Sequence, residues 1–323
     1  MMKNLPSALL SRRATLLGGL AVLATGSMAQ AQETLTVVAT TGMIADGVRR
    51  VGGDAVTVKA LMGPGVDPHG YRQTRSDIVA MTRADLTLWH GLYLEAQMER
   101  FFEELGGKRS VVAVAEALDK DRLLHHADYE GRYDPHVWMA PEIWSDVVTE
   151  MARALSAARP DMAAVFKANA LAYQADIATL ASFAKESLAM VPEDTRVLVT
   201  AHDAFSYFGR AYGFEVIGIQ GISTNSEAGL NRISELVDVL VTRKIGAVFV
   251  ETSVSDRNMR ALIEGAAARN HEVVIGGSLY SDAMGQDGTY EGTYIGMIDH
   301  NVTTIARALG ADLAATGMAG KLT

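Results

Sequence analysis

The sequence predicts an α/β fold of two similar lobes, each with a mainly parallel sheet, joined by one long rigid helix. Short β-rich apolar runs alternate with helix-period segments between Leu35 and Ile275, which is the pattern of βαβ units. The alternation occurs twice, and a run without Gly or Pro, from Asp161 to Met190, separates the two occurrences. At 49% hydrophobic residues in a chain of 323, there is ample apolar material for two cores.

Residues 1–31 read as a targeting segment that stands apart from the fold. A basic start (Lys3, Arg12, Arg13) precedes an apolar run from Leu16 to Leu23, and Ala29-Gln30-Ala31 fits a cleavage site before Gln32. The run is far shorter than the ~20 residues a bilayer span needs, so a cleaved signal is expected rather than an anchor. Ser11-Arg12-Arg13-Ala14-Thr15-Leu16-Leu17 resembles a twin-arginine signal, although Thr15 stands where that pattern prefers Phe. Adjacent arginines occur in general secretory signals too, which leaves the route open. The chain has no Cys, hence neither disulfides nor a lipid-modified N-terminal Cys. The expectation is a soluble periplasmic protein.

The first lobe, 32–159, carries expected strands at 35–39, 56–61, 84–89 and 110–114. The clearest helices between them are 43–52 and 76–83, with Ser76 as N-cap of the second. Pro160 to Met190 is rich in Ala, Leu, Lys, Gln and Glu. Such composition over about 31 residues favours one helix of roughly 46 Å. Pro160 sits where a first-turn proline is tolerated and Pro192 follows the end, giving a linker at 160–191. A long coiled coil is the competing reading, but the apolar positions do not keep a strict heptad. The second lobe, 192–323, repeats the pattern with strands at 196–200, 216–219, 247–251 and 272–275 and helices at 204–212, 226–243 and 256–269.

The formal net charge is -9, and removing residues 1–31, which hold basic but no acidic residues, deepens it. So acidic a chain is a poor partner for nucleic acid, whose affinity rests on Lys and Arg neutralising phosphates. Cations are the more natural ligand.

Eight histidines occur, and their contexts separate them. His69 lies in Asp67-Pro68-His69 and His136 in Asp134-Pro135-His136. In each, proline fixes the backbone beside a histidine where a loop meets an ordered element. A single His after Pro is an ordinary loop residue; the repetition is the signal. His202, in Thr200-Ala201-His202-Asp203, and Asp282, in Tyr280-Ser281-Asp282-Ala283, follow expected strands, where α/β sheets place ligands. Three imidazoles and a carboxylate suit one borderline divalent transition ion. Two come from each half, so a metal held by all four bridges the lobes. His125 and His126 read as solvated, with a lesser role in metal access; His90 is placed to support a ligand from behind; His271 and His300 read as a turn and a helix residue. Glu251, closing the strand 247–251, either hydrogen-bonds a ligand imidazole or caps the following segment.

These residues resemble bacterial TroA-like metal-binding solute-binding proteins, the extracytoplasmic components of zinc and manganese ABC importers. The likeness runs from Thr40-Thr41-Gly42-Met43 to the C-terminal helix. It is densest at the two Asp-Pro-His tripeptides, at Thr200-Ala201-His202-Asp203-Ala204-Phe205-Ser206-Tyr207-Phe208 and at Ser278-Leu279-Tyr280-Ser281-Asp282-Ala283-Met284-Gly285. The resemblance implies two Rossmann-like lobes joined by one long rigid helix, with Zn²⁺ or Mn²⁺ in the interlobe cleft as transported ligand on His69, His136, His202 and Asp282. It also implies a membrane permease and its cytoplasmic ATPase as partners; the protein itself is expected to be a monomer. Manganese-dedicated members usually carry Glu where His202 stands, which tilts the set toward zinc. Zinc-dedicated members often carry a long His-rich loop, whereas 119–133 holds only His125 and His126.

The sequence has no Gly-x-Ser-x-Gly elbow, Walker loop or His-Glu-x-x-His. Binding without turnover is therefore expected. A metal-dependent hydrolase on the same site is the alternative and needs an open coordination position with Glu251 as base. Surface adhesion has little support in a chain lacking a Cys for lipid attachment.

Overall fold

Strands β1 (Leu35–Ala39), β2 (Val56–Ala60), β3 (Leu86–Trp89) and β4 (Val111–Ala113) form a parallel sheet in the order β2-β1-β3-β4. The central strands β1 and β3 are buried along most of their length, as expected where helices cover both faces of a parallel sheet. The computed structural model describes residues 34–126, 129–225 and 229–322. The proposed export segment lies outside them.

In the second half, β5 (Val197–Thr200) pairs with β6 (Glu215–Gly218) and β7 (Ala247–Glu251) with β8 (Val274–Leu279), both parallel. β5 lies beside β7, so the strand arrangement echoes the first sheet. The result is two α/β lobes with a long helix between them. Around the first sheet lie α1 (Gly42–Gly52), α2 (Arg75–Arg83), α3 (Glu99–Gly106) and α4 (Pro141–Ala158), and around the second lie α6 (Ser206–Tyr212), α7 (Leu230–Arg243), α8 (Arg257–Ala267) and α9 (Tyr294–Ala308). Among the described residues, no helix is long and apolar enough to cross a membrane.

The linker helix α5 runs from Ala163 to Ala189, with Pro160–Met162 forming a separate 3-10 turn before it. Its 27 residues span about 40 Å, shorter than the sequence expectation because Met162, at φ -101° and ψ 2°, leaves helical geometry and sets Pro160–Met162 apart as its own turn. Its buried residues Phe166, Ala170, Tyr173, Ile177, Leu180 and Ala184 alternate in steps of four and three, a heptad-like seam. That seam packs on α4, α1 and α9 of the same chain. Exposed Val165 and Leu171 on the other face hide it from the sequence pattern. The linker is thereby welded to both lobes, and one continuous core runs from Leu35 to Ala311 through it.

Two further boundaries differ from expectation. The N-cap of α2 is Thr74, not Ser76: its hydroxyl accepts the Asp77 amide while the Asp77 carboxylate accepts the Thr74 amide, a reciprocal capping box. The last strand continues to Leu279 through Gly276 and Gly277, which read as a strand end in sequence. A Cβ on Gly277 meets Thr304 Cγ2 at 2.3 Å, so glycine is what lets α9 lie close on β8. This extension carries the chain to within a turn of Asp282.

Candidate metal centre

All four predicted ligands sit in strand-to-helix connections: His69 between β2 and α2, His136 between β4 and α4, His202 between β5 and α6, Asp282 between β8 and α9. Parallel strands bring these connections to one edge of each sheet. The structure brings the four together. One donor atom from each lies within 4.8 Å of the others, and every one of the four residues is at most 2% exposed.

The spacings suit a single ion. Nε2 of His69 and Nε2 of His136 are 3.3 Å apart, His136 Nε2 and Asp282 Oδ1 3.3 Å, and His202 Nε2 and Asp282 Oδ2 3.2 Å. A tetrahedral ion with bonds of about 2.0–2.1 Å has ligand-to-ligand edges of about 3.3 Å. The edge from His69 Nε2 to Asp282 Oδ2 is longer, at 3.9 Å, and the widest separation in the set reaches no more than 4.8 Å, so the set tightens on closing around an ion. Both Asp282 oxygens and His202 Nε2 are buried polar atoms without a hydrogen-bond partner among the described residues. A cation meets that demand for all three.

Carboxylates behind the rings set their orientation. Asp134 Oδ1 accepts the His136 amide at 3.0 Å and holds Nδ1 at 2.7 Å. Glu251 accepts the His202 amide on Oε1 at 2.9 Å and holds Nδ1 on Oε2 at 2.6 Å. With Nδ1–H given to a carboxylate, the Nε2 lone pair faces the centre. Glu251 thus orients the His202 ring rather than capping the segment after it. The other tripeptide is used differently. Asp67 Oδ1 accepts the His69 amide at 2.8 Å, while its Oδ2 accepts the Thr224 hydroxyl at 2.5 Å, and Asn225 donates to the His69 carbonyl at 2.9 Å. The His69 loop is thereby tied across the cleft to the second lobe.

Charge state follows from burial against carboxylates. Burial depresses His69 to about 3, with Asp282 too weak to offset it. Burial also opposes a charge on His136, but Asp134 and Asp282 outweigh it and raise it to about 9. His202 is raised well above its usual value because Glu251 and Asp282 overcome its burial. For Asp282, burial favours the neutral acid, yet His202 and His136 hold it well below the usual carboxylate range. The metal-free centre therefore stores protons on two imidazoles that an incoming cation displaces.

The other histidines separate as follows. His90 is buried and donates from Nε2 to the Pro135 carbonyl at 2.7 Å. His126 is 7% exposed, not solvated, because its amide donates to the Arg132 carbonyl and its ring lies against Tyr129; His125 bridges to Tyr133. His271 and His300 donate to the Ile245 and Ser278 carbonyls, in the turn and the helix expected. Sequence reasoning passed over Trp138, whose Nε1 donates across the lobes to the Ser281 carbonyl at 2.8 Å, and Tyr207, whose hydroxyl donates to the Asp134 carbonyl at 2.9 Å. Their only sequence signal was adjacency to the ligand motifs.

A family profile described as "ZnuA: Zinc-uptake complex component A periplasmic" matches residues 37–308. The manganese-binding lipoprotein MntA of Bacillus subtilis (strain 168) is 48% identical over 280 residues, covering 86% of this chain and 91% of that protein. The zinc-binding protein TroA of Treponema pallidum (strain Nichols) is 45% identical over 273 residues, covering 84% and 88%. The solved structure of the periplasmic zinc-binding protein TroA from Treponema pallidum aligns with a TM-score of 0.82 at 44% identity, covering 86% of this chain and 99% of that one. The chain belongs to the ZnuA family of metal-binding solute-binding proteins, of the TroA-like type its motifs resemble.

Proposed function

We propose that this chain is the periplasmic solute-binding component of an ABC importer, capturing one Zn²⁺ or Mn²⁺ on His69, His136, His202 and Asp282 and handing it to a membrane permease served by a cytoplasmic ATPase. Residues 1–31 form the cleaved signal, 32–159 and 192–323 the two lobes and 160–191 the linker; the mature protein acts as a soluble monomer. The observation that carries the reading is the convergence of three imidazoles and a carboxylate, all buried, with three of their separations at 3.2–3.3 Å and all within 4.8 Å. The names of the relatives, one manganese-binding and one zinc-binding, support either cargo.

The donor set fits both ions. Its nitrogen-rich composition favours zinc, and the Irving–Williams order makes Zn²⁺ the tighter ligand in vitro whatever the cellular cargo. The two Asp282 oxygens face different imidazoles, at 3.3 and 3.2 Å, so a bidentate carboxylate supplies the extra oxygen that Mn²⁺ prefers.

The protein acts without turnover. Four protein ligands fill a tetrahedral shell and leave no position for a reacting water. Glu251, the base a hydrolase needs, has both oxygens committed to His202. The comparisons lend the hydrolase no support.

Calorimetric titration of the stripped protein with Zn²⁺ and Mn²⁺ tests the assignment. One ion per chain is expected, with His202→Ala losing more than the about 10–100-fold that supporting groups control; unchanged affinity in the variant removes His202 from the site. Growth of a deletion strain under metal limitation tests transport, and rescue by neither zinc nor manganese counts against an importer.

A further inference from the structure

We infer that His90 is a positioning residue for the ligand His136, presented by a strained turn that the buried Glu95 and the exposed Glu116 hold in shape. The inference rests on His136 being a ligand, as proposed above.

The turn follows β3 directly. Gly91, Leu92 and Tyr93 all have positive φ, at 84°, 52° and 69°. Left-handed backbone is uncommon for residues with side chains, and it persists only where the surroundings over-determine it. Here they do. The His90 and Gly91 amides donate to Glu95 Oε1 and Oε2 at 2.8 and 3.2 Å, and the Leu92 amide donates to Glu116 Oε1 at 3.0 Å. The Thr40 hydroxyl adds a bond to Glu95 Oε1 at 2.6 Å. A Cβ on residue 91 meets Glu116 Cγ at 2.8 Å and Ala113 Cβ at 3.1 Å, so only glycine fits.

What this turn delivers is one imidazole. His90 is fully buried, with its ring edge-on to Trp138 at 5.0 Å and parallel to Trp144 at 6.4 Å. A carbonyl only accepts, so the 2.7 Å contact with the Pro135 oxygen places the ring proton on Nε2. That carbonyl belongs to the peptide joining Pro135 to His136. Fixing its plane fixes the direction in which the His136 side chain leaves the backbone. The loop is therefore pinned on both flanks: Tyr207 of the second lobe holds the Asp134 carbonyl, and His90 of the first holds the next one. A ring serving only as filler needs no donor at this position.

The test compares His90→Phe, which keeps ring volume and removes the donor, with His90→Gln, whose terminal amide replaces Nε2–H. His136→Ala serves as reference, and each variant's fold is checked by circular dichroism and melting. Zn²⁺ affinity is read by chelator competition, and site geometry by the visible absorption of the Co²⁺-loaded protein. His90→Phe is expected to weaken Zn²⁺ by about 10-fold and alter the Co²⁺ bands, and His90→Gln to recover most of both. Should His90→Phe fail to fold, His90→Asn, polar but too short to reach Pro135, carries the same expectation. Wild-type affinity and spectra in the His90 variants, beside lost binding in His136→Ala, overturn the positioning role and leave the ligand reading intact. Equal losses in the Phe and Gln variants also overturn it, since the donor then plays no part. Wild-type binding by His136→Ala overturns the ligand reading itself.

Discussion

Replacing Glu251 by Gln changes almost no volume, yet it strikes the geometry of His202 from behind. In the native chain both Glu251 oxygens accept, one from the His202 amide at 2.9 Å and one from Nδ1–H at 2.6 Å. A glutamine has one oxygen and one NH₂ in those places. If the NH₂ faces Nδ1, it donates there, and the ring proton moves to Nε2, where it blocks the lone pair that meets the ion. If the NH₂ faces the backbone, two donors confront each other in a buried site. Either way a charge-assisted bond worth about 1.5–3 kcal/mol gives way to a neutral one of about 0.5–1.5 kcal/mol. The expected result is a loss of Zn²⁺ affinity of about 10–100-fold, or about 1.4–2.7 kcal/mol, with little change in helix content. Competition against a chromophoric chelator at neutral pH measures it. A variant that binds Zn²⁺ as wild type does refutes the claim that Glu251 sets the tautomer of His202.

Other outcomes follow from the same structure. Because His136 is raised from 6.5 to about 9 by Asp134 and Asp282 acting against burial, metal capture at neutral pH releases at least one proton. Calorimetry in buffers of different ionisation enthalpy checks this, and zero release contradicts it. The sign for stability is opposite to that for capture: a raised value stabilises the metal-free fold below about 6.5 and this contribution is lost as pH rises through about 9, while Zn²⁺ binding tightens over the same window. Thr74→Ala removes the capping box of α2 and is expected to cost about 1 kcal/mol, seen as a lower melting temperature with metal affinity unchanged. Trp138→Phe removes the bond to Ser281 beside Asp282, and stopped-flow release of Zn²⁺ is expected to show a faster off-rate with a little-altered on-rate.

Much of the fold was legible because parallel strands buried on both faces read as short apolar runs, and β1, β2 and β5 lie within a residue or two of where the pattern put them. The clustering of the four candidate ligands was legible because the Asp-Pro-His repeat and the residues after β5 and β8 stand where loops leave strand ends. What the sequence concealed depends on packing. Helix α4, the principal neighbour of the linker, was not anticipated, and the linker's buried seam was obscured by apolar residues on its exposed face. The strand β8 was cut short at a glycine pair that exists because α9 presses against it. The two tripeptides look identical, yet Asp134 reaches the ring of its histidine while Asp67 reaches Thr224 in the other lobe. That difference arises only from what each loop meets across the cleft. Glu251 was undecided for the same reason, since His202 comes to it from a different strand.

Anomalous diffraction from crystals of the Zn²⁺-loaded protein, collected on both sides of the zinc edge, addresses the central claim most directly. A single strong peak is predicted between the lobes, about 2.0–2.2 Å from Nε2 of His69, His136 and His202 and from a carboxylate oxygen of Asp282. A zinc peak elsewhere, or one at this centre lacking any of these four side chains, contradicts the account.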